Sequence, residues 1–215
     1  MGGGAWPGRG ERQPPGGLLS LPTLALWALL SGAPAPAPLW LTLDVANPET
    51  LGRHRLLHLE DVVGPDRRTD IPGLPKAEAV VLFSTRPDGC VGGLGPDEPK
   101  PSGLCAAVAA RLEDLSRRGV LVVGVLLATR EEAAADLARV RRAAVPFPVT
   151  FDVHDLARQA LGLEGPGQFV IISSEGLNIR VPGASKAGDD VQVTRHLELV
   201  RKTVLAALGR DEEEP

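Results

Sequence analysis

Cys90 and Cys105 are the only thiols of the chain and stand fifteen positions apart. Such a pair has three uses. It can close a permanent disulfide, cycle between disulfide and dithiol, or let one thiolate attack a peroxide while the other resolves the sulfenic acid. Cys105 falls where the apolar pattern opens a helix. A sulfur in a first helical turn faces unpaired N–H groups and the positive end of the dipole, which favour thiolate. Ser102 is an expected N-cap for that helix, its hydroxyl accepting from an N–H two or three residues on. Cys90 closes the stretch Thr85-Arg86-Pro87-Asp88-Gly89-Cys90. As a structural bridge the pair would contribute about 3 kcal/mol by constraining the unfolded chain. Reversible redox chemistry, a structural bridge and unpaired thiols are all open at this point.

Other chemistries lack their residues. There is no phosphate loop, no H-E-x-x-H and no G-x-S-x-G. Glu164-Gly165-Pro166-Gly167 reads as a turn, not a nucleotide cradle. Two cysteines cannot make a four-cysteine zinc site. Lys and Arg number 23 against 27 Asp and Glu, a net charge of −4, so no strong field marks a binder of nucleic acid or anionic lipid. The pairs Arg117-Arg118 and Arg141-Arg142 close or flank helices, and Glu131, Glu132 and Asp136 sit near a helix start; the dipole accounts for both groups. No apolar run of 18 residues exists beyond the N-terminus, which excludes a polytopic membrane protein.

The elements that must position the thiols follow from apolar periodicity. Residues 1–17 are polar and rich in Gly and Pro, with Arg9 and Arg12 as positive charges. A short apolar run over 18–30 and the small residues of 31–37 complete the pattern of a secretory signal peptide, or else a disordered leader. A signal would place the mature chain in an oxidising compartment. Segments 39–43 and 56–59 are candidate strands. Segment 79–83 reads as a buried strand, followed by a Gly/Pro loop over 84–101. Cys105, Val108, Leu112 and Leu115 stripe one helix ending near Gly119. Segment 120–127 is apolar on both faces, as in a sheet covered by helices on both sides. Helices over 130–144 and 152–161, a strand over 147–151, a hairpin of 169–172 with 177–181 around Ser174-Glu175-Gly176, and a last helix striped by Leu197, Val200, Val204 and Leu208 complete the domain. Residues 210–215 read as a frayed acidic tail. The alternation predicts an α/β fold with a mixed sheet.

In this order the segments resemble the thioredoxin-like superfamily, in its redoxin branch of peroxiredoxins and extracytoplasmic thiol–disulfide proteins. Phe147-Pro148-Val149-Thr150-Phe151-Asp152, with Ala157 and Leu161-Gly162, is similar to that branch's "fPv…D…a…yGv" segment. Gly165-Pro166-Gly167-Gln168-Phe169-Val170-Ile171-Ile172 is similar to its "vPttflId" strand, and Ser174 to Ile179 resembles its "d.dGkI" turn. The resemblance covers 79–208; the domain is taken as 39–209. It implies a thioredoxin-like fold with a central mixed β-sheet flanked by helices on both faces. It gives Cys105 the slot of the second cysteine in C-x-x-C and Ser102 the slot of the first. It makes Pro166 a cis proline facing the sulfurs. The stretch ending at Cys90 resembles the peroxiredoxin pattern P-x-x-x-T-x-x-C with altered spacing. It is also similar to copper chaperones whose cysteines flank Pro-Asp, although those carry a histidine where this chain has Gln168; His154 reads as a solvated side chain.

The expected function is that of an extracytoplasmic thiol–disulfide oxidoreductase or thiol peroxidase-like protein. Cys105 and Cys90 would be catalytic, and Pro166 and Ser102 would bind substrate, with no cofactor and no metal. Its partners would be protein thiols or disulfides, or peroxide, without nucleic acid, and with a membrane tether only if the leader stays uncleaved. It would be secreted or periplasmic. The alternative is a non-enzymatic partner-binding protein of the same fold with a structural disulfide.

Overall fold

The computed structural model describes residues 37–64, 71–92, 100–128, 134–152, 154–181 and 190–210. Residues 1–36 of the expected leader and residues 211–215 lie outside them.

Chain order runs β1 (Thr42–Val45), a 3-10 turn (Pro48–Leu51), β2 (Leu56–His58), α1 (Leu59–Val62), β3 (Ala79–Thr85), α2 (Pro87–Cys90), β4 (Val91–Gly92), β5 (Lys100–Pro101), α3 (Gly103–Ala109) and α4 (Leu112–Arg117). It continues with β6 (Val120–Leu126), α5 (Ala134–Arg142), β7 (Val149–Phe151), α6 (Leu156–Leu161), β8 (Phe169–Ser173), β9 (Asn178–Val181) and α7 (Asp190–Ala207). Seven strands form one sheet in the order β2-β1-β7-β6-β3-β8-β9, and β4 pairs with β5 alone. The strands β3, β6 and β7 run parallel. Helical crossovers make that possible, as the alternating sequence pattern requires. Antiparallel β1 and β8 flank the parallel centre, giving the expected mixed sheet.

All seven residues of β3 are buried, and its side chains divide by parity. Val81 and Phe83 enter one layer with Val108 of α3, Leu115 of α4 and Val200 and Val204 of α7. Val80 and Leu82 enter the other with Leu59 and Val62 of α1 and Ala157 and Leu161 of α6. Helices therefore cover both faces, which is why β3 and β6 carry apolar residues without alternation. Asn47 fixes one flank of the sheet. Its amide donates to the carbonyls of Val145 and Phe147, and its Oδ1 accepts from Val149 N–H at 2.7 Å.

Several boundaries differ from the sequence reading. The helix expected from Cys105 to Arg117 is two pieces, with Ala110 and Arg111 between them. Arg111 (φ −108°, ψ −2°) stays in the right-handed region, but its N–H bonds the Val108 carbonyl three residues back rather than four. The helix expected from Asp152 begins at Leu156. Asp152 instead accepts from the N–H groups of Ala157 and Arg158 at 2.9 and 2.8 Å, so its carboxylate serves the helix start from outside. Within the stretch expected as a loop over 84–101, the described residues form a helical turn and a two-stranded ladder, and residues 93–99 lie outside those described. Arg210, expected in the frayed tail, donates to the Arg118 carbonyl and to Glu78.

Candidate redox site at the carboxyl end of the central strands

Strand β3 delivers the chain to Thr85, and Arg86 in extended conformation (φ −113°, ψ 158°) sets up Pro87 at the first position of α2. Proline is at home there because its missing N–H has no helical partner to lose. This single turn ends at Cys90, whose sulfur is bonded to that of Cys105 with the two Cα atoms 4.9 Å apart. Both cysteines are fully buried, at 0% exposure. Asp88 and Gly89 on the outside of the turn are exposed.

The second half of the bridge is set by close backbone approach. Ser102 N–H donates to the Cys90 carbonyl at 3.0 Å. Gly103 opens α3 with φ +49°, and a Cβ there would lie 3.0 Å from the Gly89 carbonyl oxygen. Both facts select glycine. The expected N-cap bond of Ser102 is absent: its hydroxyl caps nothing. Its side chain instead packs on Gly92, where a Cβ would fall 2.7 Å from the Ser102 Cβ. The helix start is held by the disulfide and by backbone contact rather than by a hydroxyl.

Strand β8 runs antiparallel to β3 with Phe169 opposite Phe83. The turn carrying Pro166 therefore lies at the same end of the sheet as Thr85, α2 and the disulfide. Ser84 and this turn exchange backbone bonds, Gly167 N–H to Ser84 O at 2.7 Å and Ser84 N–H to Gln168 O at 2.9 Å. Pro166 is exposed. Its peptide bond is trans, contrary to the family expectation. The physical reason is local. Pro166 followed by Gly167 at φ +82° has the residue types and the positive φ of a type II turn, which a trans proline at its first central position satisfies.

Thr85 is buried and its hydroxyl donates to the Arg86 carbonyl at 3.3 Å, while the Arg86 side chain is exposed. The Thr85 hydroxyl borders the turn carrying Cys90, 3.4 Å from where a Gly89 Cβ would lie. Two residues at this end carry no clear signal in the sequence. Ser84 is a fully buried hydroxyl near the end of β3, signalled only as a polar residue closing an apolar run. His196 of α7 has its ring 5.1 Å from that of Phe169. Burial pushes its pKa below the ordinary 6.5, and its Nε2 is buried with no hydrogen-bond partner among the described residues. In the sequence it hides beside Leu197 in an amphipathic stripe.

No protein-family model and no curated protein matches the sequence. Solved structures do. The chain is similar to thioredoxin peroxidase I of Plasmodium yoelii at a TM-score of 0.53 and 12% identity, covering 82% of this chain and 90% of that one. The fold is thioredoxin-like. Peroxiredoxin Q of Xanthomonas campestris matches at 0.50 and 13% identity, over 79% and 92% of the two chains. An uncharacterized conserved protein of Geobacillus kaustophilus matches at 0.53 and 15%, over 86% and 88%. Within the thioredoxin-like fold, the disulfide and the Pro166 turn occupy the carboxyl end of the parallel strands.

Proposed function

We propose that this protein is an extracytoplasmic thiol–disulfide oxidoreductase of the redoxin type, with Cys90 and Cys105 as its redox couple and protein thiols as its partners. The observation that carries this reading is the position of the disulfide, which ties the exit of β3 to the mouth of the first crossover helix, at the end of the sheet that bears the Pro166 turn. The step balances without a cofactor. Two partner thiols lose two electrons and form one disulfide, while the Cys90–Cys105 bond takes those electrons and the two protons to become two thiols. The first attack forms a mixed disulfide, and the partner's second thiolate releases it.

Because both sulfurs are buried, the attacking thiolate enters through local opening of the Pro87–Cys90 turn, a short element with an exposed outer side. An extracytoplasmic location is supported by the leader pattern of 1–37 and by the disulfide itself, which oxidising compartments preserve. Cleavage of that leader gives a free protein; retention gives a tether.

Burial favours a second reading, a non-enzymatic member of the fold in which the bridge is structural. Equilibration against thiol buffers, followed by alkylation and intact mass, separates the two. A redox couple gives a midpoint potential above about −300 mV, within reach of biological thiols, whereas a lower value assigns the bridge to structure. The same measurement on secreted material reads the mature N-terminus.

A further inference from the structure

We infer that Ser84 is a positioning residue of the redox site, holding the Pro166 turn in the form that a partner protein meets. This rests on the oxidoreductase reading above and names a residue that reading leaves out. Ser84 is wholly buried in a strand otherwise built from Ala, Val, Leu, Phe and Thr. A hydroxyl there has a cost unless it is fully hydrogen-bonded, and here it is. Its Oγ donates to the Gly165 carbonyl and accepts from Gln168 N–H at 3.0 Å. In an ordinary turn the first carbonyl and the fourth N–H bond each other. Here the Ser84 hydroxyl stands between them and bridges both. The side chain of Gln168 closes the remaining gap, its Oε1 accepting from Gly165 N–H at 3.2 Å.

The backbone alone already pins this turn to β3, through the two bonds between residue 84 and Gly167 and Gln168. An alanine would keep both. What the hydroxyl adds is the shape of the turn, and with it the direction in which the exposed Pro166 ring points. Ser84 is also one residue from Thr85, after which the chain enters the turn carrying Cys90. A displacement of the Cys90 segment during exchange is thus felt at the same residue that shapes the partner-facing turn.

The test compares two reductants acting on the oxidised full chain, a reduced thioredoxin as protein probe and dithiothreitol as small probe. Ser84→Ala is expected to slow reduction by the protein about five- to tenfold, the loss attached to one misdirected contact. The dithiothreitol rate and the midpoint potential should stay within twofold and within error. Pro166→Ala, an exposed site that leaves the fold intact, should give a similar selective loss, and the double variant should be no slower than either single one. Equal slowing with both reductants, a shifted potential, or additive losses in the double variant would overturn the positioning role while leaving the redox couple standing. A wild-type bridge that neither reductant opens overturns the redox reading, and this inference with it.

Discussion

The two ends of β3 are fastened by different physics. At the carboxyl end the chain is closed by a covalent bond between buried sulfurs and by a hydroxyl that no water reaches. At the amino end, the Arg210 guanidinium bridges Glu78 at 2.7 Å and the Arg118 carbonyl at 2.9 Å, with the two charged side chains 32% and 46% exposed. That end opens on a wide polar cleft lined by Glu78, Ser173, Ser174 and Glu175. The contrast separates strength from position. Buried, satisfied groups fix geometry where exchange would occur, and solvent-screened groups suffice where the chain only has to end.

Removing the bridge should have the largest effect. Cys90→Ser with Cys105→Ser is expected to lose about 3 kcal/mol of unfolding free energy, the entropy of one closed loop of this length. Denaturant unfolding with and without reductant checks it: the wild type should fall toward the double variant on reduction, and the variant should not respond. Next comes a paired test of glycines, one at each end. Gly103→Ala puts a Cβ 3.0 Å from a carbonyl oxygen at φ +49°, whereas Gly119→Ala, at φ +72°, meets only the flexible Glu78 side chain at 3.4 Å. The first should cost about 2–3 kcal/mol and the second about 1, since left-handed strain is common to both and only the first adds a backbone clash. Equal costs would remove close packing from the account of the carboxyl end.

The same contrast explains what the sequence made legible. Strands β3 and β6 announce themselves because burial on both faces leaves an unbroken apolar run. The break at Ala110 and Arg111 does not, because Cys105, Val108, Leu112 and Leu115 stay in phase across it. Ser102 has the right type and place for a cap, yet contact with Gly92 takes its side chain elsewhere, a tertiary fact with no local signature. Pro166 shows two signals in conflict: the family likeness argues for cis, while the neighbouring glycine argues for a trans type II turn, and the local chemistry wins. Ser84 and His196 are not legible because a lone polar residue at a strand end or in a helix stripe has no local signature; only its partners, or their absence, distinguish it.

His196 adds a pH dependence at the carboxyl end, where its ring contacts Phe169. Burial lowers its pKa in the folded state below the 6.5 of the unfolded chain. The unfolded state therefore binds the proton more readily, so this contribution to stability is intact above about pH 6.5 and is lost as the pH falls through the folded value. His196→Phe keeps a ring against Phe169 and removes the titration. Unfolding curves at pH 7.5 and 5.0 should show a smaller drop for the variant than for the wild type. An identical drop would assign the acid sensitivity to other groups.

The amino end should yield least. An ion pair as exposed as that of Arg210 with Glu78 is worth under about 1 kcal/mol, and salt weakens it. Arg210→Ala should lose about 1 kcal/mol at low ionic strength, its carbonyl contact included, and visibly less in 1 M salt. Its combination with the cysteine double variant is the sharper measurement. The seven residues of β3 separate the two fastenings by roughly 20 Å at the usual rise per residue, beyond the range at which substitutions couple. The two losses should add to within about 0.5 kcal/mol. A larger coupling would mean that β3 transmits the state of the disulfide along its length, and that the two ends are one device rather than two.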